Sequence, residues 1–326
     1  MNLLSFGLAL GALVFPLAWI GAAVSIVLAP LVRRRSPVGR AELAAWLAVA
    51  PAVAAVAIGL AVAAPSALAG LGLAADHCDG HGHHPHLCAV HGAVLPAWLA
   101  AVGAAGWAVF GLRASAVLSR LVAAERLGAA LAKLGRGQEG FVLVPASVPV
   151  CHAVGLVKPR VLVSEAVVGR LDSDALRAVL AHENAHLRRS DPRWSALLSL
   201  AACVAPPALV WVGEWRDAAE EAADDLAATE TDGATVARAL VTVARMKLGP
   251  AQGLAFGASR LERRVGRLLA GAAAPRPSRA LVGALWMTLA AGGLVVGAHD
   301  RLHHAAEEGW ERLVGAGRVV SSYYSR

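Results

Sequence analysis

Residues 182–186 read His182-Glu183-Asn184-Ala185-His186, inside a run of sequence that begins at Asp172 and is followed by Pro192. Residues 172–174 offer side-chain oxygens that cap a helix, and Pro192 stops the pattern, so the run predicts one helix. A spacing of four residues places His182 and His186 on one face of that helix, one turn apart.

Two imidazoles in this arrangement could bind one Zn²⁺ ion, and Glu183 beside them could take a proton from a water on the ion. A second acidic segment follows at residues 220–224, where Glu220 and Asp224 share a helix face. Glu220 could complete a His₂Glu site, and Asp224 could accept the second N–H of a ligating histidine. Exposed histidines on a charged helix and a solvated acidic face remain the alternatives.

The composition predicts an integral membrane protein. The chain has 326 residues, of which 57% are hydrophobic and 16% charged, with a mean hydropathy of +0.57. Soluble domains are far less apolar. The net charge of +7 comes from arginines beside apolar runs, which favours positive-inside topology and contact with lipid over direct binding of nucleic acid.

Four apolar stretches are long enough to cross the membrane as helices, at 4–32, 42–64, 92–112 and 280–298. The loop after the first contains residues 33–35, all arginine, and Arg40, which predicts a cytoplasmic loop and an N-terminus outside the cell membrane. Because the first charge is Arg33, we expect no signal peptide. The loop 74–91 and the C-terminal tail would lie outside, and residues 113–279 on the cytoplasmic side.

A fifth apolar stretch, 195–213, separates the histidines from Glu220. A straight span would hold them about 30 Å apart, too far to share one ion. Pro206 and Pro207 interrupt the stretch and break a helix. We therefore predict a re-entrant hairpin, or a pair of membrane-touching helices, with both ends in the cytoplasm.

The chain thus divides into an N-terminal membrane region at 1–112, a cytoplasmic-side region at 113–279, and a last span with a short external tail at 280–326. Within the middle region we predict a basic amphipathic helix near 113–135 and strands at 141–144 and 159–164. A linker is expected at 271–279. The second strand could hold an extended substrate by edge pairing, or could be purely structural; its residues are Arg160, Val161, Leu162, Val163 and Ser164.

Histidines and cysteines crowd the external loop 74–91. Cys78 and Cys88 could form a disulfide in an oxidising space, and the histidines around them could bind metal. We favour a disulfide, or no bond and no metal at all, over a metal sensor. Cys151 and Cys203 are expected to be reduced thiols.

The chain resembles the BlaR/MecR-type antirepressor metalloproteases, membrane peptidases of the gluzincin kind. The resemblance rests on the 182–186 motif, the 220–224 segment and the strand 155–164 ahead of them. It implies Zn²⁺ bound by His182, His186 and Glu220, Glu183 as general base, and cleavage of a cytoplasmic winged-helix repressor. Arg264 resembles an arginine that follows the third ligand in related proteases and could stabilise the oxyanion.

The expected fold is mainly α-helical, with about four transmembrane helices, a re-entrant hairpin and a small α+β catalytic region. The expected function is a signalling zinc endopeptidase. A quality-control membrane protease of broad specificity is the first alternative, and a metal-sensing or metal-transporting membrane protein the second. Because no Ser-x-x-Lys element follows the last span, we do not expect β-lactam sensing.

Overall fold

The computed structural model describes residues 3–73, 95–248, 258–271, 298, 301–302 and 304–312. The protein is mainly helical, with one small sheet, as the sequence predicts. The external loop with Cys78 and Cys88, the linker beyond Gly271 and nearly all of the span predicted at 280–298 lie outside the described residues. The division into three regions stays a prediction.

Three helices in the described part are long and apolar enough to cross a membrane. The first comprises α1 (Leu3–Ser25), a 3-10 turn (Ile26–Leu28) and α2 (Ala29–Arg33); the others are α3 (Pro37–Gly70) and α4 (Ala97–Leu134). They coincide with three of the four predicted spans. Small residues let them approach closely: a side chain at Gly103 of α4 would collide with the backbone carbonyl of Leu8 in α1.

Helix α4 is longer than expected, because the predicted span and the predicted amphipathic helix are one continuous element of 38 residues. At about 1.5 Å per residue it measures about 57 Å, nearly twice the hydrocarbon thickness. Its far end reaches the sheet, where Glu125 accepts a hydrogen bond of 2.9 Å from the backbone N–H of Leu156. One helix therefore connects the membrane region with the sheet.

The sheet has four strands in the order β1-β2-β4-β3. The strands are β1 (Arg136–Gln138), β2 (Phe141–Val144), β3 (Cys151–Val154) and β4 (Arg160–Ser164). The two predicted strands are confirmed as β2 and β4. The short strands β1 and β3 were not predicted, since neither the exposed Arg-Gly-Gln segment of β1 nor the Cys-His-Ala-Val segment of β3 is rich in β-branched or aromatic residues.

Strand β4 lies inside the sheet, parallel to β2 and antiparallel to β3. Both of its hydrogen-bonding edges are occupied, so the predicted edge pairing of a substrate with this strand is wrong. The strand is structural, and its side chains from Val161 to Ser164 are buried. The edge of the sheet is β3 instead, joined to β4 by a turn in which Gly155 adopts a φ of 96°.

The sheet is followed along the chain by the helices α5 (Glu165–Val168), α6 (Ser173–Arg188), α7 (Asp191–Val204), α8 (Leu209–Glu230), α9 (Gly233–Leu248) and α10 (Ala258–Leu269). The predicted cap of α6 is confirmed: Asp172 Oδ1 accepts a 2.7 Å hydrogen bond from the N–H of Ala175. Helix α6 ends at Arg188, and Pro192 lies in the first turn of α7, where a proline is well tolerated.

The apolar stretch 195–213 folds back on itself. Helices α7 and α8 meet at a 3-10 turn, Pro206–Ala208, and pack against α3. Trp211 and Trp215 of α8 are buried in this contact, and Trp19 of α1 donates a 2.9 Å hydrogen bond to the carbonyl of Val204 at the end of α7. The proline-broken hairpin predicted from the sequence is present, with α6 and α8 side by side.

At the other end of the helices, Trp310 is buried against Ala9, Val62 and Leu99. These residues belong to the beginning of α1, the end of α3 and the beginning of α4. The residues around Trp310 therefore pack at the same end of the bundle as the N-terminus. This is the arrangement expected if both lie on one side of a membrane.

Candidate metal centre

Helices α6 and α8 bring three metal-binding side chains to one point. The Nε2 atoms of His182 and His186 lie 3.2 Å apart. Glu220 places Oε2 3.6 Å from Nε2 of His182, and Oε1 3.7 Å from Nε2 of His186. All three sequence-predicted ligands therefore meet, because the hairpin returns α8 to the side of α6.

The other ring nitrogens of both histidines face carboxylates. Nδ1 of His186 is 2.7 Å from Oδ2 of Asp191, and Nδ1 of His182 is 3.0 Å from Oδ1 of Asp224. The first contact is a hydrogen bond, whereas Nδ1 of His182 makes no well-aligned hydrogen bond and its contact is electrostatic. A carboxylate in this position keeps the proton on Nδ1 and turns the lone pair of Nε2 outward.

Two imidazole lone pairs that face each other repel unless a proton or a cation lies between them. Zn²⁺ in a tetrahedral site has nitrogen bonds of about 2.0–2.1 Å, which puts two ligand nitrogens about 3.3 Å apart. The separation of 3.2 Å between His182 and His186 is close to this value. Two imidazoles and one carboxylate therefore fit a Zn²⁺ ion in both spacing and chemistry.

The carboxylates of the site are held in their charged form. Burial alone would lower the pKa of His182, but the contacts with Asp224 and Glu220 outweigh it and raise the pKa to about 9. Burial would raise the pKa values of Glu220 and Asp224, yet His182 and Arg264 hold both below their ordinary range. In the absence of metal a proton on His182 balances these carboxylates.

Arg264 of α10 holds both α8 carboxylates. Its Nε and Nη2 atoms donate to the two oxygens of Asp224 at 2.7 and 2.8 Å, and Nη1 lies 2.9 Å from Oε2 of Glu220. Such forked pairing fixes the carboxylates in position. The sequence places Arg264 correctly at the site, but with all three nitrogens engaged the geometry favours a positioning role over the expected role at the oxyanion.

Glu183, the residue expected to act as general base, lies on α6 beside the two histidines and is buried. Its Oε2 atom accepts a 2.7 Å hydrogen bond from the backbone N–H of Ala153 in the edge strand β3. This bond fixes one carboxylate oxygen and leaves the other available to a reactant. The edge strand therefore adjoins the candidate base.

A cavity of about 430 Å³ opens over the three ligands and Glu183. This volume suits a small ligand or a short piece of polypeptide. The walls come from the edge strand β3 and from helices α6, α7, α8, α9 and α10. The expected ligands and base thus share one accessible space.

The sequence reasoning missed Asp191, the partner of His186. The available signal was its position, five residues after His186 and directly before Pro192, where a new helix begins and its first-turn carboxylate points back to the preceding helix. It also missed the contact between Arg40 and Glu221. Arg40 donates from Nη1 to Glu221 Oε2 at 2.8 Å, but the two residues are 181 positions apart in the sequence.

No curated protein and no solved structure matches the chain. A family model does: the one described as BlaR1 peptidase M56 matches residues 89–264, from just before α4 to Arg264. The match contains His182, Glu183, His186 and Glu220, and extends over more than half of the chain. The protein therefore belongs to the BlaR1 peptidase M56 family and is a membrane metallopeptidase of that type.

Proposed function

We propose that this protein is a zinc endopeptidase of the signalling type, which cuts a cytoplasmic winged-helix repressor. The observation that carries the proposal is the convergence of His182, His186 and Glu220 on one point, with Glu183 in the same cavity. Family membership supports the peptidase activity. We propose in addition that the metal is Zn²⁺, that the substrate is a repressor and that cleavage serves signalling.

His182, His186 and Glu220 would hold the Zn²⁺ ion. When bound there, the ion would polarise the carbonyl of the peptide bond and lower the pKa of a water molecule in the cavity. Asp224 and Asp191 orient the two imidazoles, and Arg264 holds Glu220 and Asp224. The protein thus supplies a preorganised set of ligands and needs little rearrangement on binding.

Glu183 would transfer a proton from the attacking water to the leaving amine. Its bond to Ala153 fixes the carboxylate next to the ligands, where one oxygen can accept a proton from the attacking water and pass it to the leaving amine. The neighbouring edge strand β3 would bind the substrate in an extended conformation, because main-chain groups on the edge of a sheet can pair with another strand. This role was expected of residues 160–164, which are interior.

A cytoplasmic substrate is supported by the position of the site relative to the arginine-rich loop. Arg40, just after this loop, makes hydrogen bonds to Glu214 and Glu221 of α8. The metal centre and the loop are thus at the same end of the membrane helices. Since arginine-rich loops between spans are retained in the cytoplasm, a repressor in the cytoplasm could reach the cavity.

The test is cleavage by purified protein, in detergent, of a winged-helix repressor encoded beside it. We expect cleavage that requires Zn²⁺ and that falls by about 10²–10⁴-fold in Glu183→Gln, the range for loss of a general acid or base. Glu139→Gln, a surface change in the turn between β1 and β2, serves as the control and should cleave normally. Zinc content should be unchanged in Glu183→Gln.

Equal cleavage by Glu183→Gln and the unmodified protein would disprove the catalytic assignment. A comparison of cellular proteins with and without the active enzyme tests the signalling role separately. One or two stabilised proteins are expected for a signalling protease. Stabilisation of many unrelated proteins would overturn that role and indicate a quality-control protease.

A further inference from the structure

Arg216 is a charged residue in the wall of the metal cavity that the proposed chemistry does not use. It lies on α8, four residues before Glu220, and its side chain is exposed. Residues four apart on a helix share a face, with Cβ atoms about 6 Å apart. The guanidinium of Arg216 is therefore within about one side-chain length of the metal ligands.

Within the described part of the chain, Arg216 makes no ion pair or side-chain hydrogen bond, unlike the arginines around it. The acidic residues within two turns of it on α8 are already engaged. Glu214 pairs with Arg40, Asp217 with Arg260 and Arg263, and Glu220 with Arg264. The segment 249–257 that follows α9 contains no acidic residue, so it offers no internal carboxylate either.

The cavity wall combines apolar side chains with the exposed charge of Arg216. Apolar residues come from α6, α9 and α10; they include Val179, Val236, Leu240, Val243 and Leu261. Helices α7 and α8 add Ser195 and Arg216. A substrate in this cavity therefore meets both apolar side chains and a positive charge.

We propose that Arg216 selects substrates with a carboxylate close to the bond that is cut, an acidic side chain within about two residues of it. The proposal rests on the proposed endopeptidase function and adds a substrate class to it. An extended peptide advances about 3.3 Å per residue, so a carboxylate that reaches Arg216 belongs to a residue one or two positions from the reacting carbonyl. An apolar side chain of the substrate would contact the apolar residues of the wall.

The test measures binding, so that it does not depend on turnover. Labelled seven-residue peptides with a central leucine and with Glu, Gln or Lys at each other position are titrated against the zinc-loaded Glu183→Gln protein. Fluorescence anisotropy gives each Kd. At one position near the centre, the Glu peptide should bind about three- to tenfold more tightly than the Gln peptide, as expected for a partly exposed charge pair.

Two variants identify the residue responsible. Arg216→Gln in the same background should remove the preference for Glu, and Arg216→Glu should reverse it in favour of Lys at the same position. The matched control is Arg245→Gln, which removes another exposed arginine, on α9, outside the cavity wall. It should leave the selection unchanged, and it controls for the change in net charge.

Several results would overturn the proposal. One is equal binding of Glu and Gln peptides, and another is a Glu preference that persists in Arg216→Glu. If Arg216→Gln leaves peptide selection intact but weakens binding of the protein to vesicles with anionic lipid, the residue contacts lipid headgroups instead. Selective binding of acidic peptides without any zinc-dependent cleavage would reject the protease function while retaining the carboxylate site, so the two failures are distinguishable.

Discussion

Arg40 Nη1 lies 2.8 Å from Oε2 of Glu221, and this contact ties the first turn of α3 to the helix that carries Glu220. Arg40 also donates from Nε and Nη2 to Oε1 of Glu214 at 3.1 and 2.7 Å. Glu221 is only 2% exposed. Helix α3 is therefore bonded to α8 both before and after Glu220.

Replacing Arg40 by Gln should destabilise the protein and weaken zinc binding. A buried carboxylate without its partner is costly, but Arg263 and Arg267 remain within 4 Å of Glu221, so we expect a loss of about 1–3 kcal/mol. Thermal unfolding in detergent measures the stability, and competition with a chelator measures zinc affinity. Arg35→Gln removes one charge from the same loop and should change neither; an equal loss in both variants would contradict the prediction.

Asp191→Asn should lower zinc affinity by about 10–100-fold, the usual effect of losing the partner of a ligating histidine. The amide cannot replace the charge that holds the proton on Nδ1 of His186, 2.7 Å away. Chelator competition on the purified variant gives the affinity. Asp174→Asn, an exposed change in the first turn of α6, should bind zinc as the unmodified protein does. Full affinity in Asp191→Asn would remove Asp191 from the site.

Removal of zinc should destabilise the fold, because the ion binds the folded site and joins α6 to α8. At a free zinc concentration one hundred times Kd, the expected gain is about 2.7 kcal/mol. Unfolding temperatures with zinc and with a chelator measure it. The same experiment on His186→Ala should show a much smaller difference. A zinc effect of equal size in that variant would place the stabilising ion elsewhere.

Gly103→Val should disrupt the packing of α1 against α4. A side chain at Gly103 would meet the backbone carbonyl of Leu8, which cannot move aside without shifting a whole helix, so a loss of about 1–3 kcal/mol or more is expected. Gly111→Val on the same helix is the control, since nothing lies within 4 Å of a side chain there. Unfolding curves for the two variants in detergent give the comparison, and equal curves would refute the packing argument.

The sequence predicted those parts of the site that depend on residues close together in the chain. The spacing of His182 and His186 fixes their common face, and the two prolines at 206 and 207 impose the return of the chain, so the approach of Glu220 could be inferred. The partners of these residues depend on tertiary packing. Arg40 and Glu221 are far apart in sequence, and no periodicity connects them.

The errors in the sheet have a similar origin. Residues 160–164 have the central apolar, β-branched side chains typical of a strand. Whether a strand lies at the edge or in the interior of a sheet depends on its neighbours. Here β3, with only four residues, takes the edge. The two halves of α4 differ in polarity, which suggested separate helices, yet the change of polarity near Arg113 contains no proline, and Gly111 beside it does not end the helix.

The continuity of α4 has a mechanical consequence. A helix without a break has no joint, so a tilt or a piston movement applied at Ala97 would arrive at Gly128 almost undiminished. Gly128 faces Val154 of β3, since a side-chain carbon at Gly128 would come within 3.4 Å of Val154, and Ala153 beside it donates a hydrogen bond to the carboxylate of Glu183. A movement at the distant end of α4 would thus reach the carboxylate of Glu183, the proposed base, through packed residues alone.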